Sequence, residues 1–362
     1  MKAYTYNPMV FKSMQGKDWD GWRALFKLIG NAVSFVDRTE TIKIPVQTAT
    51  PDCLRMPEFD PLFSTTYEEC CNLRVNELVT LQEKLDVPIN LMYSGGIDSS
   101  LVLASFIKQI GLTESTKRIT ILLDQESIIE NPDMWDKIIR PNFKILDSIK
   151  YGSHLNKNTI VVAGEGNDQL LGSDIYRDLA HWRGPGILDI AWTEADIKAY
   201  FDYKGLTPAE RDLWFSLYHK LITNATCPID TIGDWFWYIN FACKWGSVYH
   251  RMMFCIQDTS EITHEYMNAY YQQFYNTDDF QKWSLINRTH KHQGDYLSYK
   301  FHARELITDV LGKDSTYANK VKRNSLFNIT KFKYACDLIN ENYEFKYNIN
   351  PSDYYEPNNS FI

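Results

Sequence analysis

The sequence is notable first for what is missing. Its seven cysteines are scattered, with only Cys70 and Cys71 adjacent, and no CxxC pair occurs. Neither a zinc-ligand set nor a disulfide framework is therefore indicated, and reduced thiols are expected. No apolar run approaches the roughly 20 residues that a membrane helix needs. The opening residues Met1-Lys2-Ala3-Tyr4-Thr5-Tyr6 lack the apolar core of a signal peptide, so the expectation is a cytoplasmic chain without a membrane partner. The P-loop pattern GxxxxGK[ST] is absent, which removes that class of nucleotide kinase. There is no low-complexity tract and no repeat visible by eye. The net charge of −8 argues against a protein that coats nucleic acid. That charge is uneven, however. Lys282 to Lys333 carries eleven Lys and Arg against four Asp and Glu. Such a stretch suits a pyrophosphate clamp or a docking face for a polyanion.

The most informative stretch is Ser94-Gly95-Gly96-Ile97-Asp98-Ser99-Ser100, between the apolar runs Val87 to Tyr93 and Leu101 to Ile107. This order predicts a buried strand, a glycine turn and a helix N-terminus. Paired glycines let backbone N–H groups approach a ligand closely. A helix N-terminus adds unpaired N–H groups and partial positive charge, which suits phosphate. Ser94, Ser99 and Ser100 add hydroxyls. Asp98 would repel a bare phosphate, so a bridging magnesium ion is expected beside it. A second stretch, Gly164-Glu165-Gly166-Asn167-Asp168-Gln169-Leu170-Leu171-Gly172-Ser173, follows the β-branched run Thr159 to Ala163.

The first stretch resembles the SGGxDS signature of the PP-loop ATP pyrophosphatases. Five fixed residues match by chance about once in a million positions. The second is similar to the GEGxDExFGGY segment of the asparagine synthetases and β-lactam synthetases, with Gln169 at the second acid and Gly172-Ser173 at the paired glycines. Asp86-Val87-Pro88-Ile89 resembles that family's DVPVG lead-in. Lys300-Phe301-His302-Ala303-Arg304 resembles its KxxLR, and Asn319-Lys320-Val321-Lys322 its NRxK. The glycine-aromatic pair expected after Lys322 is replaced by Asn324 to Phe327. The resemblance spans residues 64 to 330.

It implies ATP and magnesium as cofactors and an ATP-dependent carbon–nitrogen ligase releasing AMP and pyrophosphate. The substrates would be a small carboxylate and ammonia or an amine. Ser94, Gly95, Gly96, Asp98, Ser99, Ser100 and Gly164 would line the nucleotide site, Asp98 and Asp168 would bind the metal, Glu165 would act on the attacking nitrogen, and Lys322 would hold pyrophosphate. The family's glutaminase needs an N-terminal cysteine nucleophile, and position 2 is Lys. The expectation is therefore no glutaminase activity in this chain, with a separate glutaminase as a candidate partner. Two alternatives remain open at this stage. One is another PP-loop adenylating enzyme, such as a tRNA-modifying enzyme. The other is a non-catalytic nucleotide-binding protein.

The expected fold class is α/β, a parallel sheet with flanking helices followed by a mainly helical region. Residues 1–63 are read as a short N-terminal region, 64–189 as the ATP-binding α/β region, 190–349 as mainly helical and 350–362 as a loosely ordered tail. An amphipathic helix is predicted over Asp18 to Ile29 and a strand over Ile42 to Val46. In the α/β region strands are predicted at Ile89 to Tyr93, Arg118 to Asp124, Phe143 to Leu146 and Ile160 to Ala163. Farther on, Thr207-Pro208-Ala209-Glu210 reads as a capping box opening a helix. The aromatic run Trp235-Phe236-Trp237-Tyr238, with Phe241 and Trp245, reads as core.

Overall fold

The computed structural model describes residues 2–5, 34–41, 48–49, 55–148, 154–246, 248–249, 264–288, 291, 300–313, 315, 336–338 and 345–347. The helix expected over Asp18 to Ile29, the strand at Ile42 to Val46, the tail after Asn350, and Lys322 with its neighbours lie outside these residues.

The protein is an α/β protein whose chain forms two compact units, each assembled from three segments. One comprises Met1–Thr65, Gly166–Thr259 and Asn276–Tyr299; the other comprises Thr66–Glu165, Ser260–Tyr275 and Lys300–Ile362. The unit boundaries in this part of the chain fall after Thr65 and after Glu165, the second in the middle of the second motif.

In the first unit three short strands pair antiparallel in the order β2-β1-β3: β1 (Lys2–Thr5), β2 (Ser34–Asp37) and β3 (Thr48–Ala49). Arg38 anchors the chain after β2. Its guanidinium donates to the carbonyls of Phe241 (3.1 Å) and Arg55 (3.2 Å) and to the side chain of Gln281. It also lies 5.1 Å from the Phe241 ring and 4.9 Å from Trp245. A buried guanidinium is tolerated only when its donors are met, and here carbonyls and π faces meet them. The described N-terminal residues thus belong to the helical unit and do not stand apart.

The other described elements of that unit are helices. The capping box Thr207/Glu210 forms as read and opens the helix Pro208–Thr223, and Thr231/Asp234 opens Ile232–Ile239 in the same way. Trp214, Tyr218, Trp235, Trp237, Tyr238 and Phe241 are all fully buried, so the aromatic run is core.

The second unit holds the main sheet. β4 (Ile89–Met92), β5 (Ile119–Leu123), β6 (Lys144–Asp147), β7 (Ile160–Ala163) and β8 (Tyr271–Gln273) are all parallel, in the order β6-β5-β4-β7-β8. The four strands expected from the sequence are present to within two residues at each end. β4, β5 and β7 are near-continuous runs of Ile, Leu and Val because central parallel strands are covered on both faces. Two strands, β9 (Cys336–Leu338) and β10 (Phe345–Tyr347), pair separately.

Three helices cluster beside the sheet. Tyr67–Leu85 begins at a capping box, Thr66 with Glu69. The helix Ile97–Ile110 packs against it and against Phe301–Leu311. Lys108 joins the three, paired with Glu68 at 2.8 Å and Asp309 at 2.6 Å. Cys70, Cys71, Cys227 and Cys243 are buried free thiols. Among the described residues no helix is long and apolar enough to cross a membrane.

Candidate functional site

From central β4 the chain moves outward to β5 and β6, then returns across β4 to β7 on its other side. Strand order therefore reverses between β4 and β7. In open α/β sheets the ligand crevice lies at the carboxyl ends of the strands flanking such a reversal. Met92 of β4 pairs with Ala163 of β7, so the loops after these two strands start side by side. They are the loops that carry the two motifs.

The first loop is built tightly. Gly95 has φ +72°, and a Cβ there would lie 2.3 Å from the Ser127 carbonyl oxygen and 2.7 Å from the Glu130 Cβ. Only glycine fits. Ser99 is buried, and its hydroxyl accepts from the Ser94 N–H at 3.1 Å and donates to the Gly96 carbonyl at 3.2 Å. Ser100 is fully buried; its hydroxyl donates to the Gly95 carbonyl at 3.3 Å, accepts from the Asn131 amide at 3.2 Å and meets the Tyr93 hydroxyl at 3.2 Å. Ser99 and Ser100, expected to offer hydroxyls to a ligand, instead hold the loop from inside. Ser94 is exposed.

Gly96 differs from Gly95. It is the N-cap of Ile97–Ile110 with extended backbone (φ −68°, ψ 166°), and no side chain caps the helix. A Cβ there would meet only the Ser94 hydroxyl, at an ordinary 3.4 Å. The fold does not demand glycine at this position. Serine, the better N-cap residue, would fit. Its absence leaves the first N–H groups of the helix without a side-chain cap.

The second loop lies directly on this helix start. A Cβ at Gly164 would come within 3.0 Å of the Asp98 carbonyl carbon and of the Ser99 nitrogen. Gly164 is thus a backbone-to-backbone contact between the two motifs.

Asp98, in the first helical turn, is half-buried, with its side chain 22% exposed. Its carboxylate pairs with the ammonium of Lys300, which is fully buried. Lys300 is 202 residues away and occupies the N-cap of Phe301–Leu311 in the left-handed region (φ 61°). The Asp98 carbonyl also accepts from the Tyr275 hydroxyl at 2.8 Å. Lys300 was legible only as the first residue of the KxxLR-like run and was not named as a site residue.

Glu165 is half-buried after β7. Its Oε2 accepts from the Tyr271 hydroxyl at 3.1 Å and the Gln273 amide at 2.9 Å, both from β8. Two donors from one edge strand fix the orientation of this carboxylate.

Asp168 belongs to the other compact unit, on the short helix Asn167–Leu171, and is half-exposed there. Its neighbours Asn167 and Gln169 are buried. Gln169, at the place of the family's second acid, is thus a neutral amide where an ionised carboxylate would carry a large desolvation cost. Lys322 lies outside the described residues.

Two features suit a nucleotide polyphosphate: a helix N-terminus that Gly96 leaves without a side-chain cap, and a tight loop that needs glycine at Gly95. For magnesium the fit is of the usual kind, one or two carboxylates used together with substrate phosphates. Among the described residues no group of three or more His, Cys, Asp or Glu is gathered as a metal cage. The basic stretch Lys282 to Lys333 is not a uniform solvated face, because Lys291 and Lys300 within it are fully buried.

No known protein family, no curated protein and no solved structure matches this chain. The site therefore rests on its own geometry and on the motifs.

Proposed function

We propose that this protein is an ATP-dependent ligase that adenylates a carboxylate and transfers the acyl group to ammonia or an amine. The observation that carries this reading is the contact of Gly164 with the backbone of Asp98 and Ser99 at the strand-order reversal. Two motifs, read separately in the sequence, meet where an α/β sheet binds its ligand.

The backbone N–H groups at the start of Ile97–Ile110 hold the phosphates, aided by the helix dipole. Lys300 fixes Asp98. A substrate carboxylate oxygen attacks the α-phosphorus, the bridging α–β P–O bond breaks, and pyrophosphate leaves. The nitrogen then attacks the acyl carbon, the acyl C–O bond of the mixed anhydride breaks, and AMP leaves with that oxygen. Glu165, oriented by Tyr271 and Gln273, takes the proton released from nitrogen. Asp98 would hold magnesium, which would supply neutralisation of charge on the leaving pyrophosphate, and Asp168, on the other unit, is the further metal residue that the resemblance implies. Lys322 is the further pyrophosphate lysine that the resemblance implies.

The test is 31P NMR of ATP incubated with the purified protein, magnesium, ammonium and a panel of carboxylic and amino acids. AMP and pyrophosphate are expected as the products, in step with amide formation. ADP and phosphate as the main products would overturn the proposal.

A further inference from the structure

The helix Asn167–Leu171 has five residues. So short a helix has little stability of its own, and its last carbonyls have no partner within it. Here they are gripped from outside. The Leu170 carbonyl accepts from the Lys291 ammonium at 2.9 Å, the Ser284 hydroxyl at 2.6 Å and the Trp237 indole N–H at 3.2 Å. The same indole N–H lies 3.1 Å from the Gln169 carbonyl. Ser284 comes from the helix Asp278–Ile286 and Trp237 from Ile232–Ile239.

Lys291 is the centre of this grip. It is fully buried, and besides Leu170 its ammonium donates to the carbonyl and hydroxyl of Ser284, at 2.8 and 2.6 Å. These three acceptors match its three N–H donors. The ammonium also lies 3.6 Å from the centre of the Trp237 ring, a cation–π contact. Burial pushes the ammonium well below the usual lysine range, so an apolar residue would be the less costly occupant of the position. What the lysine supplies is a cation at a helix C-terminus, where carbonyls concentrate negative charge.

We propose that Lys291 is a positioning residue for Asp168, acting through the Leu170 carbonyl two residues farther along the same helix. This rests on the reading of Asp168 as a metal-side carboxylate. Holding the Gln169 and Leu170 carbonyls, which follow Asp168 in the same turn, limits how far the Asp168 backbone moves when ligand binds.

The test compares the full-length wild type with Lys291→Met and Ser284→Ala, the second being a smaller change should the first fail to fold. Lys204→Met, which alters an exposed ion pair with Asp178, is the control. Two readouts are taken. Hydrogen exchange followed by mass spectrometry reports the peptide covering 167–172 against the one covering β4. Electron paramagnetic resonance reports Mn2+ affinity in the presence of ATP, alongside ATP affinity without metal. Lys291→Met is expected to speed exchange in 167–172 and not in β4. It should also weaken Mn2+ binding about tenfold, as loss of partners that orient metal ligands does, with metal-free ATP affinity unchanged. Ser284→Ala should move the same way by less. Unchanged exchange at 167–172 overturns the proposal, and so does faster exchange with unchanged Mn2+ affinity. If the wild type itself binds no Mn2+ with ATP, the proposed function fails first, and any faster exchange then marks Lys291 as a structural clamp only.

Discussion

Asp98→Ala is expected to lower both stability and turnover, and the stability loss distinguishes this site from an ordinary surface carboxylate. The substitution takes the paired carboxylate away from the ammonium of Lys300, which has no exposure to solvent. Removing one partner of a buried pair costs about 3–5 kcal/mol, and the partial exposure of Asp98 places the loss near the lower figure. Asp98→Asn keeps an acceptor oxygen for Lys300 and should lose about half as much stability. Either change removes the carboxylate of the first motif, and on the proposed function turnover should fall at least about a hundredfold. The double variant Asp98→Asn with Lys300→Met removes the buried charge along with its partner. It is expected to regain most of the stability and none of the activity. Denaturant titrations followed by tryptophan fluorescence read the first effect, and amide formation reads the second. An Asp98→Ala protein with the wild-type midpoint would show that the ion pair contributes nothing.

Gly95→Ala should be the most damaging single methyl group in the α/β unit. Two penalties add. A residue with a side chain is strained at φ +72°, by about 1 kcal/mol or more. The new Cβ also falls 2.3 Å from a backbone oxygen, that of Ser127, which cannot rotate aside as a flexible side chain can. The loop must move, and a loss of about 3 kcal/mol is expected. Gly111→Ala isolates the first penalty, since that glycine has φ +82° with nothing within 4 Å of the added Cβ. It should cost about 1 kcal/mol. Equal losses at the two positions, measured by urea midpoints, would contradict the steric account of the loop.

Much of this was legible in the chain. The apolar runs located β4, β5 and β7, because buried parallel strands are rich in Ile, Leu and Val, and the pair Ile145-Leu146 marked the edge strand β6. The glycines located both loops, because φ and close approach leave no alternative at Gly95 and the backbone passes tightly at Gly164. The capping box at Thr207 stood where a helix begins. Other features carried no local signal. β8 is only Tyr271-Gln272-Gln273, a short polar edge strand with no apolar run to mark it, yet its Tyr271 and Gln273 donate to Glu165. Lys300 reaches Asp98 from 202 residues away, a distance no periodicity spans. Sequence reading likewise treated the charges of Lys282 to Lys333 as one field, whereas folding sorts them: Lys291 and Lys300 go inward, and Arg288 pairs with Asp234 at 3.2 Å. The serines of the first motif were read as ligand donors. Only the fold reveals that Ser100 already has three polar partners of its own. The interleaving of six segments into two units is invisible locally, since it brings together stretches far apart in the chain.

The central claim is that a triphosphate sits on the uncapped start of Ile97–Ile110. Gly96→Ser tests it directly by titration calorimetry with ATP beside a thermal melt. The backbone at this position already has N-cap geometry, and a Cβ there meets nothing closer than 3.4 Å. Serine should therefore cap the helix and hold or raise stability, by up to about 1 kcal/mol. Its hydroxyl would then occupy the N–H groups that the phosphates need, and ATP affinity should fall at least about tenfold, the equivalent of one strong charge-assisted hydrogen bond. Unchanged ATP affinity in a Gly96→Ser protein of undiminished stability would contradict the account.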